Sequence, residues 1–358
     1  MSNPTVTISR QPHIMGLRLS NIIRRSRCAQ RISSSIVTRD YHSLPPVQTV
    51  DYSFDDVDLD EFRQKAFIPE KPVSLRSTNG ASSTSLGKKS SIKIAEKWFM
   101  SKSQDQCANL DMTRKETSTL VPTKYLEYFA DTTLPYELTV DSPDVRNQLD
   151  DFMRHYKFHV GFSEQLQRSI QPHDSTKTFY HFYAPLTLFL LATSSNYPLP
   201  LYIAQAQIAD LPRELQKDLP MPKVVKEAGK GDVYDANIWL GTSTSYTPLH
   251  KDPNPNLFIQ SVGKKRVRLF PPIVGRGIYQ DVQQSIGAWG IASIRGEEMM
   301  EGPERSLLEQ RVWGEGVTEK GFEVEVGPGD ALFIPKGWWH SIKSLDGGIS
   351  ASVNWWFR

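Results

Sequence analysis

The feature that most limits how this chain can fold is the punctuation of its second half. From about residue 176 onward, short apolar and β-branched runs alternate with Pro, Gly and Asp turn signals. The runs are 187–191, 202–208, 233–239, 257–262, 266–270, 322–326, 331–334 and 350–356. Many short strands divided by turns build sandwiches, jelly rolls or barrels rather than helical bundles. An aromatic content of 10% and 24 prolines point the same way. Residues 275–320 break the pattern with a mixed, mostly polar segment, which reads as a long insertion between two strands.

The first half reads differently. Residues 42–66 are acidic and are expected to lead loosely into the fold, 72–76 is strand-like, 77–91 is a Ser/Gly-rich surface loop, and 92–99 is a short helix. Gly87-Lys88-Lys89-Ser90 has the wrong glycine spacing for a phosphate loop, and Lys88 is not followed by Ser or Thr, so that reading is excluded. Nothing acidic precedes Asp40, whereas Arg10, Arg18, Arg24, Arg25, Arg27, Arg31 and Arg39 are spread among Ser and apolar residues. That composition is expected of a mitochondrial transit peptide, directing the chain to the matrix; a basic tail on a nuclear or cytoplasmic protein is the alternative. Arg39-Asp40-Tyr41 also resembles a matrix-processing pattern. The expected division is a transit segment at 1–41, an N-terminal region supporting the core at 42–175, and a β core at 176–358 that carries the insertion.

Several function classes drop out. Cys28 and Cys107 are the sole cysteines, too few for a disulfide framework or a cysteine zinc site, which suits a reducing compartment. The net charge is +2, from 42 basic and 40 acidic residues, so bulk charge gives nucleic acid no support as a partner. No apolar run approaches the roughly 18 residues that span a bilayer, and no membrane partner is expected.

The chemistry concentrates in Thr247-Pro248-Leu249-His250-Lys251-Asp252. In an extended strand residues two apart face the same way, so His250 and Asp252 aim an imidazole and a carboxylate at one point. Far downstream, Pro335-Lys336-Gly337-Trp338-Trp339-His340 offers a second imidazole at a strand end. Two His and one carboxylate on one face of a metal form the facial triad of non-haem iron(II) oxygenases, which leaves positions open for a bidentate cosubstrate and oxygen. An isolated His-x-Asp is common as surface polarity, so the surroundings decide. Asn256-Leu257-Phe258-Ile259-Gln260 follows at once, then Gly263-Lys264-Lys265-Arg266, then a Gly-Pro-Gly-Asp turn at 327–330 ahead of the Trp-Trp-His. Period-2 alternation also puts Lys265, Val267 and Leu269 on one face, so Lys265 points toward the core while Lys264, Arg266 and Arg268 point outward.

These ordered motifs resemble the JmjC and cupin-like hydroxylases, most closely the asparaginyl hydroxylase acting on hypoxia-inducible factor and the arginyl hydroxylases. The resemblance is close over 200–272 and 324–358 and looser over 62–100. It implies a mainly β double-stranded β-helix with flanking helices, and an enzyme dependent on Fe(II), 2-oxoglutarate and O2. Residue by residue, it implies that His250, Asp252 and His340 ligate iron. It implies that Lys265, helped by Thr247 and Tyr202, pairs with the distal carboxylate of 2-oxoglutarate. Asn256 matches the family's asparagine beyond the first His, and Asn354 and Trp356 match a closing Asn-x-Trp. The spacing from His340 to Gly347-Gly348 is one residue shorter than in the asparaginyl hydroxylase. Trp338 and Trp339 read as core or wall, and His155, His159, His173 and His181 as structural.

The function implied first is hydroxylation of a protein side chain, with succinate and carbon dioxide as coproducts. The alternatives are demethylation of N-methyl lysine, hydroxylation of a small molecule or RNA base, and a non-catalytic metal-binding cupin. An intact lysine clamp argues against the last, because a binding module has no need of it. A protein substrate is favoured over a small molecule, and the family's habit of dimerising implies a homodimer, although no self-complementary patch is visible in the sequence.

Overall fold

The computed structural model describes residues 44–51, 57–76, 92–102, 120–156, 177–194, 199–287, 297–315 and 320–358. The expected transit segment, the 77–91 loop, Cys28, Cys107, His159 and His173 lie outside the described residues.

Strands run in chain order as β1 (Gln48–Asp51), β2 (Val73–Arg76), β3 (Phe99–Ser101), β4 (Leu120–Pro122), β5 (Thr133–Thr139), β6 (Phe179–Pro185), β7 (Leu201–Gln207), β8 (Val233–Gly241), β9 (Tyr246–Lys251), β10 (Asn256–Val262), β11 (Lys265–Phe270), β12 (Phe322–Val326), β13 (Ala331–Ile334), β14 (Trp339–Ser344) and β15 (Ser350–Phe357). The longer helices are α1 (Pro143–His155), α2 (Thr187–Ser194), α3 (Pro272–Ser285) and α4 (Gly302–Trp313). A nine-stranded sheet has the order β1-β2-β13-β10-β15-β8-β7-β5-β6, and a four-stranded sheet the order β12-β11-β14-β9. β1 and β2 pair in parallel; the other named pairings are antiparallel. Two such sheets face to face are the jelly-roll, cupin-like arrangement expected from the strand punctuation.

Three layers of apolar packing follow from side-chain alternation. On the back of the large sheet, Leu257, Ile259, Ile238, Leu240 and Val353 pack with Leu188 and Phe189 of α2. Between the sheets, Phe258, Leu332 and Ile334 meet Val267, Leu269, Val324 and Val326. Behind the small sheet, Leu249, Phe270 and Trp339 meet Ile278, Tyr279 and Val282 of α3 and Leu308 and Val312 of α4. β10 lies between two of these layers, which is why all seven of its residues are buried, the polar Asn256, Gln260 and Ser261 among them. At roughly 1.5–3 kcal/mol per fully buried large side chain, such packing is what holds the polar interior closed.

Four expectations change. Residues 187–191 form helix α2, not a strand: Leu188, Phe189, Leu190 and Ala192 are all buried, and a short continuous apolar run has no period to tell the two apart. Residues 92–99 are a π-helical turn, Ile94–Trp98, running directly into β3 rather than a regular helix. The acidic segment 42–66 is not loose where it is described. It contributes β1, and Asp58 caps a short helix by accepting from the backbone N–H groups of Asp60 and Glu61 at 3.0 and 2.9 Å. Val47, Val50, Val57, Phe62 and Ala66 are buried there. Finally, β5, from the first half of the chain, sits inside the large sheet between β7 and β6. Asp218, 1% exposed, fastens this half by accepting from Trp98 Nε1 at 3.0 Å, Tyr125 OH at 2.7 Å and Lys97 Nζ at 2.5 Å.

The expected insertion supplies α3 and α4, which cover the outer face of the small sheet. Among the described residues no helix is long and apolar enough to cross a membrane. The contact of α3 depends on Gly275, where a Cβ would fall 2.2 Å from Trp339 Cγ. Gly275→Ala is therefore expected to destabilise the protein by about 1–3 kcal/mol, as overpacking does. A melting curve superimposable on that of the unaltered protein would contradict this packing.

Candidate metal centre

β9 and β14 run antiparallel, and their register sets His340 directly opposite His250. The two rings lie 4.2 Å apart between centroids. Asp252, just past the end of β9, brings Oδ1 to 3.9 Å from His250 Nε2 and Oδ2 to 3.6 Å from His340 Nε2. Ligand atoms of all three lie within 4.8 Å of one another, and all three residues are buried. Thus the structure brings together His250, Asp252 and His340, the three residues singled out in the sequence. Among the described residues, His155 closes α1 and His181 lies exposed on β6, neither of them in this cluster.

Backbone carbonyls orient both imidazoles. His250 Nδ1 faces Pro248 O at 2.8 Å and His340 Nδ1 faces Trp338 O at 3.3 Å. A protonated Nδ1 donating to each carbonyl leaves the Nε2 lone pair directed at the shared point. The carboxylate is steered by a chain of amides and an indole. Asn256 Nδ2 donates to Asp252 Oδ2 at 2.8 Å, Asn354 Nδ2 donates to Asn256 Oδ1 at 3.3 Å, and Trp239 Nε1 donates to Asn354 Oδ1 at 2.7 Å. Asn256 and Asn354, singled out in the sequence, are therefore joined to the carboxylate. Trp239 was missed, because its partner is 115 residues away and no local signal marks it.

The ladder shifts register between His340 and Ile342, which pair with His250 and Thr247. Between these pairs one residue of β14, Ser341, opposes two of β9, Pro248 and Leu249, so β9 carries a bulge. Strict alternation would turn Thr247 away from His250; the bulge returns it to the same cavity. Pro248 fits there because β9 is an edge strand, where a missing N–H breaks no ladder bond.

That cavity, about 230 Å³, extends from the His–Asp–His cluster to Tyr202, Thr247 and Lys265, with Trp356 also on its wall. Gly241 leaves room for the Tyr202 ring; a Cβ there would come within 3.2 Å of it. Lys265 is 2% exposed. Its Nζ donates to Ser352 Oγ at 2.8 Å and Tyr202 OH at 3.2 Å. Its pKa is pushed down to about 7 by burial, and among the described residues no carboxylate pairs with it. A buried ammonium without a counter-charge is costly, so an anion bound at this end of the cavity would be stabilised. Trp338 and Trp339 are packing residues on opposite sides of the small sheet, as expected.

The donor set fits a divalent transition metal with open positions: two neutral imidazoles and one carboxylate, with no thiolate. Removing the amide that steers the carboxylate tests this. Asn256→Ala is expected to weaken Mn(II) or Fe(II) binding about 10-fold while leaving the melting temperature of the metal-free protein nearly unchanged. Unaltered metal affinity would show that the Asn256 contact is incidental.

Against known proteins, the family model described as "Cupin-like domain" matches residues 92–358. The chain is 30% identical over 167 residues to the lysine-specific demethylase JMJ30 of Arabidopsis thaliana, covering 46% of this chain and 36% of that protein. It is 30% identical over 158 residues to the lysine-specific demethylase 8 of Danio rerio, covering 44% and 36%. It is also 30% identical over 159 residues to the Jumonji C domain-containing protein 5 of Drosophila melanogaster, covering 43% and 36%. The match thus spans a little over a third of the length of these relatives.

Proposed function

Since this chain belongs to the cupin-like domain family, we propose that it is an iron(II)- and 2-oxoglutarate-dependent oxygenase whose substrate is a protein side chain. The observation that carries this reading is a single cavity with two ends. Three metal-ligand side chains converge at one end, and a buried lysine without a carboxylate partner waits at the other. His250 Nε2, His340 Nε2 and a carboxylate oxygen of Asp252 would hold the metal. Lys265, Tyr202 and Thr247 would take the distal carboxylate of 2-oxoglutarate by charge-assisted hydrogen bonds. Bound there, iron(II) supplies the redox chemistry by which O2 converts 2-oxoglutarate to succinate and carbon dioxide and a substrate C–H bond is oxidised.

The chain's own residues do the rest. The carbonyls of Pro248 and Trp338 fix the imidazole tautomers, and Asn256 fixes the carboxylate. The Trp239 and Trp356 rings wall the cavity and exclude water from it.

Which C–H bond is attacked is a finer matter. The names of the Arabidopsis and zebrafish relatives support oxidation of an N-methyl group on lysine, with loss of formaldehyde, over the plain side-chain hydroxylation that the sequence motifs put first. Purified protein supplied with Fe(II), 2-oxoglutarate and methyl-lysine peptides is expected to release succinate and formaldehyde together, and His250→Ala neither. Succinate with an oxygen-mass addition but no formaldehyde would return the function to hydroxylation. No succinate from protein with confirmed iron would remove the oxygenase reading. Matrix import by residues 1–41 is a separate proposal, resting on their arginine-rich, acid-free composition up to Asp40. A fluorescent fusion of residues 1–45 should enter mitochondria, and a diffuse cytosolic signal would refute it.

A further inference from the structure

The lysine at the anion end of the cavity is the last member of a longer hydrogen-bonded chain with a fixed direction. Gln260 on β10 is fully buried, and its Nε2 donates to Val262 O at 2.6 Å and to Gly263 O and Ser350 Oγ, each at 3.3 Å. Those acceptors lie at the irregularity where the β10–β15 ladder shifts register and at the turn into β11. Gly263 makes that turn with φ +73°, and a Cβ there would press to 3.1 Å from Ile349 O. Because two backbone carbonyls claim the amide N–H groups, the Gln260 side-chain oxygen is left facing Ser352, whose Oγ lies 2.8 Å away. An amide oxygen only accepts, so the single hydroxyl hydrogen of Ser352 is committed to Gln260. The lone pairs of Ser352 Oγ then face Lys265 Nζ at 2.8 Å.

We propose that Gln260 and Ser352 are positioning residues for the cosubstrate clamp: Gln260 holds the Ser352 hydroxyl as a pure acceptor, and Ser352 thereby keeps Lys265 in its ammonium form and aimed into the cavity. This rests on the 2-oxoglutarate reading above and deepens it. An ammonium has three hydrogens. One goes to Ser352 and one to Tyr202 OH, which leaves the third for a carboxylate. Were Ser352 free to rotate, its hydroxyl could instead donate to the neutral amine and so favour the uncharged form.

The sign of the pH dependence follows. Burial pulls Lys265 down to about 7, so in the free protein the ammonium is present below that pH and lost above it. A carboxylate ligand needs the ammonium, so affinity should be full on the acid side and fall as pH rises past about 7, approaching 10-fold per unit. The other titratable groups lining the cavity are Tyr202 on β7, His250 and Asp252 at β9, and His340 on β14, and Glu137 on β5 is the sheet partner of Tyr202. Arg266 on β11, Glu323 and Glu325 on β12 and Lys343 on β14 are engaged on the outer face, in pairs with one another or with Glu309 of α4.

The experiment is calorimetric binding of 2-oxoglutarate to the Mn(II)-loaded full chain from pH 6 to 9, which needs no turnover. Ser352→Ala is expected to bind about 10-fold more weakly at pH 7, with the onset of weakening moved to lower pH, and Ser352→Thr to restore the unaltered profile. Gln260→Met, nearly the same shape, should move the onset in the same direction and serves if Ser352→Ala does not fold. A folded Ser352→Ala or Gln260→Met protein with the unaltered pH profile overturns the positioning role while leaving the oxygenase reading intact. An unaltered protein that loads Mn(II) yet takes no 2-oxoglutarate overturns both.

Discussion

Everything at this site depends on the register between two strands, β9 and β14, that are distant in sequence. Setting His340 opposite His250 puts two imidazoles 4.2 Å apart, and the end of β9 then delivers Asp252 to both. A slip of one residue in either strand would turn one imidazole to the helix-covered face, since alternate side chains leave opposite sides of a sheet. The outer face guards against that slip. Trp339, the neighbour of His340, is clasped by Gly275 and Tyr279 of α3, so a shifted β14 would have to pull a tryptophan out of a closely fitted seat. The helix packed on the outer face of the small sheet therefore holds His250 and His340 in phase.

The interior between the sheets is divided by chemistry. One part is dry, with Phe258, Leu332 and Ile334 against Val267 and Leu269. The other is polar but ordered: Asn256, Gln260, Ser352, Asn354 and Lys265 are all buried, and nearly every hydrogen bond among them runs in a defined direction. Polar groups cost free energy when buried without partners and rigidify a site when satisfied. Here the amides and the serine are satisfied by one another, by the Trp239 indole and by the carbonyls of Val262 and Gly263. Among the described residues the ammonium keeps one hydrogen unspent.

Much of this was legible in the residues. The two-residue spacing of His250 and Asp252 needs only an extended backbone to converge, and Lys265 alternates with Val267 and Leu269, so its inward direction was readable from period alone. Thr247 was not readable that way, because alternation places it on the wrong face and only a bulge brings it back. The apolar run at 187–191 carries no period and became a helix, and the acidic run before residue 66 concealed a capped helix and five buried apolar side chains.

By itself, then, the sequence determined the strand-rich class, the two-residue spacing that brings His250 and Asp252 together and the inward direction of Lys265, because each of these rests on local spacing and local alternation. Tertiary structure alone decided that Trp239, Asn354 and Asn256 would form one line to the carboxylate and that Gln260 would set the hydrogen of Ser352. Apart from Asn256 with Asp252, four positions away, those contacts join residues 92 to 115 positions apart, such as Ser352 with Gln260 and Trp239 with Asn354. A hydrogen bond has a direction and a length that exist only once the pleat, the bulges and the ladder register have put both partners on the same face.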